Sequence, residues 1–240
     1  MTAYKHRVTT ITIQYSLFSF NYSAKNCTFA GDMHIVSIEK QTINQMPLVT
    51  FEGQIHIIDA ISQVKSAVTA LRTASIVGFD TETRPCFRRG ERHNVALLQL
   101  ATDDHAFLFR LNKTGIPAPL KQFLEDNSHT KVGLSTPDDF HQLTRVCDIH
   151  PAGFIELQQL VTKYQITDMS LQKIYAILFQ QKISKGQQLS NWEAPQLSDA
   201  QQRYAAIDAW ACLHIYRYLQ SGSFIPEESP FYHELTEETT

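Results

Sequence analysis

In "GFDTETRP", Asp80 and Glu82 stand at i and i+2 at the end of an apolar run, so strand alternation turns both carboxylates to one side. Like charges about 4 Å apart repel by about 1 kcal/mol in water and about 4 kcal/mol at an effective dielectric of 20, a cost that a cation between them would remove. Oxygen ligands of this hardness suit Mg²⁺ or Mn²⁺. Taken alone, the pair is also compatible with a solvated acidic turn at a strand end. A second pair lies in "RYAAIDAWACLHIY", where Tyr204 and Asp208 are four residues apart and therefore share a helix face. Ala205, Ala206 and Ala209 keep the neighbouring helix surface thin enough for close approach to a sheet. By itself this pair reads equally as a core aromatic beside a surface acid.

The elements that must position these groups follow from periodicity. "AISQVKSAVTALRTA" has helical spacing, "SIVGFD" is a buried-strand run, and "VALLQLAT" and "AFLFRL" are strands joined by a short polar turn. "PAPLKQFLEDN" opens with prolines suited to a first helical turn, "KVGLS" is a short strand, and "PDDFHQLTRVC" and "SLQKIYAILF" are helices. The last helix, "DAQQRYAAIDAWACLHIYRYL", has Ser198 as its expected N-cap. Strands clustered early and alternating with helices later predict an α/β fold, a mixed sheet flanked by helices.

The chain has 240 residues, 43% of them hydrophobic, enough for one domain with short extensions. No apolar run is long enough to span a bilayer, and the polar, Thr-rich start lacks the apolar stretch of a signal peptide. Cys27, Cys86, Cys147 and Cys212 show no metal-binding or disulfide spacing, which suits a reducing compartment; the expectation is a cytoplasmic protein without membrane association. Net charge is -3, but five Glu and no Lys or Arg follow Arg217, leaving the rest at +2 and polyanion binding open. Residues 1–32 read as an N-terminal extension of unassigned role, 33–220 as the functional domain, and 221–240 as an acidic tail. Oligomeric state is not legible.

Together, "FDTETRP", "KVGLSTPDDFHQL" and "LSDAQQRYAAIDAWA" resemble, in order and spacing, the three exonuclease motifs of the DEDD superfamily in its Tyr-containing branch. The similarity spans roughly residues 50 to 220 and is nearest to Werner-syndrome-exonuclease-like proteins, with ribonuclease D and the proofreading domains of family A polymerases more distant. It implies a ribonuclease H-like fold and metal-dependent 3′–5′ hydrolysis of DNA or RNA from 3′ ends, releasing 5′-mononucleotides. The implied site comprises Asp80, Glu82, Asp139, Asp208 and Tyr204, with two Mg²⁺ or Mn²⁺ ions held by the four acids. Asp80, Glu82 and Asp208 would hold the ion on the side of the attacking water, and Asp80 and Asp139 the second. Tyr204 would orient the water, because a phenol of pKa about 10 is a poor base. A His branch would carry His where this chain has Arg203, and many relatives carry Asn where it has Ser135. Counting from Gly133, and pairing Asp139 with Leu143 on one helix face, selects Asp139 over Asp138 for the second-motif acid.

Beyond the motifs, Lys182, Lys185 and Trp192 are candidate nucleic-acid contacts, two for phosphate and one for stacking on a base; an inward-packed Trp192 in a solvated loop is the competing reading. Arg88, Arg89, Arg92, His93 and Asn94 read as a charged surface turn, and His141 as an ordinary helix histidine. A catalytically inactive exonuclease fold acting as a binding or scaffold module is the alternative function. An unrelated nucleotide-binding fold lacks any phosphate-cradling glycine motif.

Overall fold

A computed structural model describes residues 34–234; residues 1–33, which include the N-terminal extension, and the last six residues lie outside them. The first strand, β1 (His34–Val36), precedes a short helix α1 (Lys40–Asn44), strand β2 (Gln54–Ile58) and helix α2 (Ile61–Leu71). Strands β3 (Ile76–Thr83), β4 (Val95–Ala101) and β5 (His105–Phe109) follow, then helices α3 (Leu111–Thr114) and α4 (Ala118–Leu124), strand β6 (Thr130–Gly133) and helix α5 (Thr136–Thr144). The chain continues through β7 (Phe154–Glu156), α6 (Leu157–Val161), α7 (Leu171–Phe179) and α8 (Asp199–Gln220), and ends on β8 (Tyr232–Glu234).

Six strands form one sheet in the order β2-β5-β4-β3-β6-β7, in which β4 runs opposite to the other five. Alternation along β3 decides which layer each side chain meets. Val77 and Phe79 enter one core with α2, α4 and Leu143 of α5, while Gly78 faces α8 on the other side. The apolar alternation of "SIVGFD" therefore delivers Asp80 and Glu82 to the α8 face, as the spacing predicts. β6 pairs with β3 only as far as Gly78, after which Gly133 ends the strand and the chain turns into α5. The carboxyl end of β3 is thereby left open on that edge, the place where open α/β sheets bind ligands.

Helix α8 is started by a reciprocal cap. Ser198 Oγ accepts from the Gln201 amide, and the Gln201 side chain accepts from the Ser198 amide. Its alanines let it lie on the sheet so closely that a Cβ on Gly78 would fall 1.8 Å from the Ala209 carbonyl oxygen. Backbone cannot yield as a side-chain tip can. Gly78→Ala is therefore expected to push α8 off β3 and lower stability by about 3 kcal/mol, the upper range for overpacking, which a thermal melt would register. A melt matching the wild type would refute this close packing.

Residues 221–234, expected as a tail outside the domain, instead fold back onto it. β8 pairs antiparallel with β1, Phe224, Phe231 and Tyr232 pack on the core beneath α8, and the Tyr164 ring stands edge-on to Phe224. The aromatic residues in this acidic stretch supply the apolar area that anchors it. Among the described residues no helix is long and apolar enough to cross a membrane. Cys86, Cys147 and Cys212 are free thiols.

Candidate active site

Asp80 and Glu82 reach the site from β3, and Asp208 and Tyr204 from successive turns of α8 directly above it. Asp80, Glu82 and Asp208 each bring a carboxylate oxygen within 4.8 Å of the others. They open into a cleft of about 400 Å³ whose far wall is the start of α7, at Met169 to Gln172, together with Ile183, Ser184 and Lys185. Three anions this close need a counter-charge, and the lining residues offer Lys185 as their basic group.

Asp139 arrives from the other layer, around the open edge of β3. Its carboxylate accepts a hydrogen bond from Thr81, the residue between Asp80 and Glu82, whereas Asp138 is exposed to solvent. Of the two adjacent aspartates, Asp139 is the one turned toward the β3 acids. What holds α5 in place is Glu156 at the end of β7, a residue absent from the motif reading. Its carboxylate accepts from the Ser135 amide (3.0 Å), the Thr136 amide (2.6 Å) and the Thr136 hydroxyl (2.8 Å). These bonds satisfy donors at the start of α5 and place a negative charge at its positive end. Ser135 adopts φ of 60°, the left-handed region where Asn is enriched, a backbone reason for the Asn common at this place in related motifs.

The electrostatics follow from burial. The Asp80 carboxyl is held well above the usual carboxylate range, first by burial and then by Asp208, Asp139 and Glu82. Glu82 is pushed up to about 9 by burial and by Asp208 and Asp139. Burial raises Asp208 to about 7, with a hydrogen bond from Tyr204 acting in the opposite direction. Burial also raises Asp139 to about 7, against the lowering effect of the Thr81 hydroxyl. The Tyr204 phenol is driven far above its ordinary value by burial and by Asp208, Glu82 and Asp80. A cluster so resistant to holding its full negative charge fits divalent cations by both donor type and charge.

Three candidate contacts separate here. Lys185 is exposed and lines the cleft. Lys182 is spent elsewhere: its Nζ donates to the Asn44 carbonyl at 2.6 Å, and its backbone pairs with Pro47 and Val49. Trp192 is a correction, because it is 0% exposed and has no face for a base. It packs with Leu97, Leu108 and Ala205, its ring centroid 6.0 Å from that of Tyr204, and so forms the wall behind that phenol. The turn after β3 is tied to the same loop, since Glu193 takes Arg84 at 3.2 Å and His93 at 3.1 Å. Arg88 and Arg89 are exposed, and so is His141.

A 3′–5′ exonuclease family model matches residues 55–222, a range that includes Asp80, Glu82, Asp139, Tyr204 and Asp208. The chain belongs to the 3′–5′ exonuclease family. It is 32% identical over 155 residues to the mouse bifunctional 3′-5′ exonuclease/ATP-dependent helicase WRN, covering 62% of this chain and 11% of that protein. An Arabidopsis thaliana 3′-5′ exonuclease is 30% identical over 152 residues, covering 61% of this chain and 53% of its own length. This exonuclease-family chain thus spans about a tenth and about half of those two relatives. Its fold matches the crystal structure of the Aedes aegypti Nibbler EXO domain with a TM-score of 0.65 at 22% identity, over 75% of this chain and 96% of that domain.

Proposed function

We propose that the protein is a metal-dependent exonuclease that removes nucleotides from the 3′ end of DNA or RNA and releases 5′-mononucleotides. The observation that carries this reading is the convergence of Asp80, Glu82, Asp208 and Tyr204 on one cleft, with Asp139 at its edge. When bound, two Mg²⁺ or Mn²⁺ ions would neutralise the charge of the phosphate in flight and make water nucleophilic near neutral pH. Asp80, Glu82 and Asp208 would hold one ion, and Asp80 with Asp139 the other. Tyr204 contributes a hydroxyl that orients the attacking water without taking its proton, in keeping with a phenol shifted upward by burial and by its acidic neighbours. Across the cleft, Lys185 and the N-terminal turn of α7 present positive charge to the phosphate backbone, and half-exposed Met169 offers an apolar edge to a terminal base.

The test is a digest of 5′-end-labelled DNA and RNA of matched sequence with Mg²⁺, Mn²⁺ or chelator. Products shortening from the 3′ end in single-nucleotide steps, and arrested by chelator, are expected. Equal cleavage in chelator, or no cleavage of either polymer with either ion, would overturn the reading; the second result would favour an inactive binding module. In the same assay Tyr204→Phe should slow hydrolysis by about 10²-fold while leaving the melt close to wild type. An unchanged rate would reduce Tyr204 to a packing residue.

A further inference from the structure

Gln99 on β4 is 0% exposed, and neither its Oε1 nor its Nε2 has a hydrogen-bond partner. A buried carboxamide in that state lowers stability relative to an apolar side chain of the same size, so its presence asks for a compensating role. The ladder supplies one. Gln99 stands directly opposite Asp80 in the antiparallel pairing of β3 with β4. Residues so opposed project to the same face with Cβ atoms about 4.5–5.5 Å apart. That face is the one beneath α8: Gly78 meets Ala209 there, and Leu97, two residues before Gln99, packs against Ala205. The Asp80 carboxylate has a main-chain hydrogen bond at Thr81 but no side-chain donor among the described residues.

We propose that Gln99 is a positioning residue for cation binding: its Nε2, without a partner in this structure, would turn to donate to the Asp80 carboxylate when the ion is bound and fix which oxygens face it. The inference rests on the metal-dependent reading above. A neutral donor suits this place. Lys or Arg would compete with the cation, Glu would add a further repelling charge, and Leu would pack well but leave Asp80 free to turn. Outer hydrogen bonds of this kind orient ligating carboxylates and set the affinity of the site.

The experiment compares wild type with Gln99→Met and Gln99→Leu in the full chain. Mn²⁺ binding would be followed by calorimetry and by the electron paramagnetic resonance signal of the ion, and thermal melts would be run in chelator. Both variants are expected to melt at or above the wild-type temperature, with a Mn²⁺ dissociation constant raised about 10–100-fold. Hydrolysis lost at low Mn²⁺ should return in large part as Mn²⁺ is raised. A dissociation constant within about twofold of wild type would overturn the inference and leave the metal-dependent reading intact. Variants that both melt below wild type would assign the carboxamide to the fold instead and equally overturn it. A wild-type protein that binds no Mn²⁺ would remove the metal-dependent reading, and this inference with it.

Discussion

Asp80→Ala and Asp208→Ala are expected to abolish hydrolysis, by at least about 10³-fold, while raising the melting temperature of the metal-free protein. Both carboxyls lie in the cluster where burial and neighbouring charge work against ionisation. Removing one relieves its neighbours, so stability and activity should move in opposite directions. The pH dependence has a determined sign. A carboxyl whose folded pKa lies above its unfolded value binds more protons in the folded state, so its contribution is complete below the unfolded value and fades as pH rises through the folded one. For Asp139, Asp208 and Glu82 that window opens near pH 4 and runs to about 7 for the two aspartates and about 9 for the glutamate. Melts in chelator should therefore drop by about 5–10 °C between pH 5 and pH 9. Millimolar Mg²⁺ or Mn²⁺ should flatten the curve, and Asp208→Ala should flatten it without metal. Either variant retaining substantial turnover, or a wild-type melt in chelator that rises with pH, would count decisively against the site.

Asp139→Asn should likewise lose nearly all activity, whereas its neighbour Asp138→Asn should keep most of it. The two residues are adjacent in the first turn of α5, but only Asp139 is drawn inward, to the Thr81 hydroxyl between the two β3 acids. Asn is isosteric and still accepts from Thr81, so a loss of about 10²-fold or more at this position would report the missing charge and not a disturbed fold. Asp138 is exposed near the helix start, where its charge favours the dipole by about 0.3–1 kcal/mol. Its Asn variant should show a small drop in melting temperature and near-normal rates. Side-by-side digests of the two variants decide the matter, and the reverse pattern would transfer the second-motif role to Asp138.

The long helices and the paired inner strands were legible because their periodicity is local. Strand alternation predicts that Asp80 and Glu82 share one face of β3, and the 3.6-residue repeat predicts that Tyr204 and Asp208 stand together. β1, β7 and β8 were not legible, since three residues are too few for a pattern to emerge. Nor does composition reveal that Lys131 and Arg110 are buried. Lys131 is held inside by the Phe123 and Asp126 carbonyls between the rings of Phe123 and Phe154, and Arg110 by the carbonyl of Ala194, 84 residues away.

The candidate site divides along the same line. Without coordinates, the resemblance of three short motifs to the DEDD exonucleases implied a site of four acids and a phenol, and residue periodicity placed each on its strand or helix. Only the tertiary structure decided that Thr81 donates to Asp139, that Glu156 anchors the start of α5, and that Gln99 stands unpartnered opposite Asp80. It also turned Trp192 inward and Lys182 toward Asn44 while leaving Lys185 in the cleft. The physical reason is range. Backbone periodicity sets a side chain's direction within its own element, but whether a loop residue such as Trp192 is buried depends on Leu97 and Leu108, brought against it from strands more than eighty positions away.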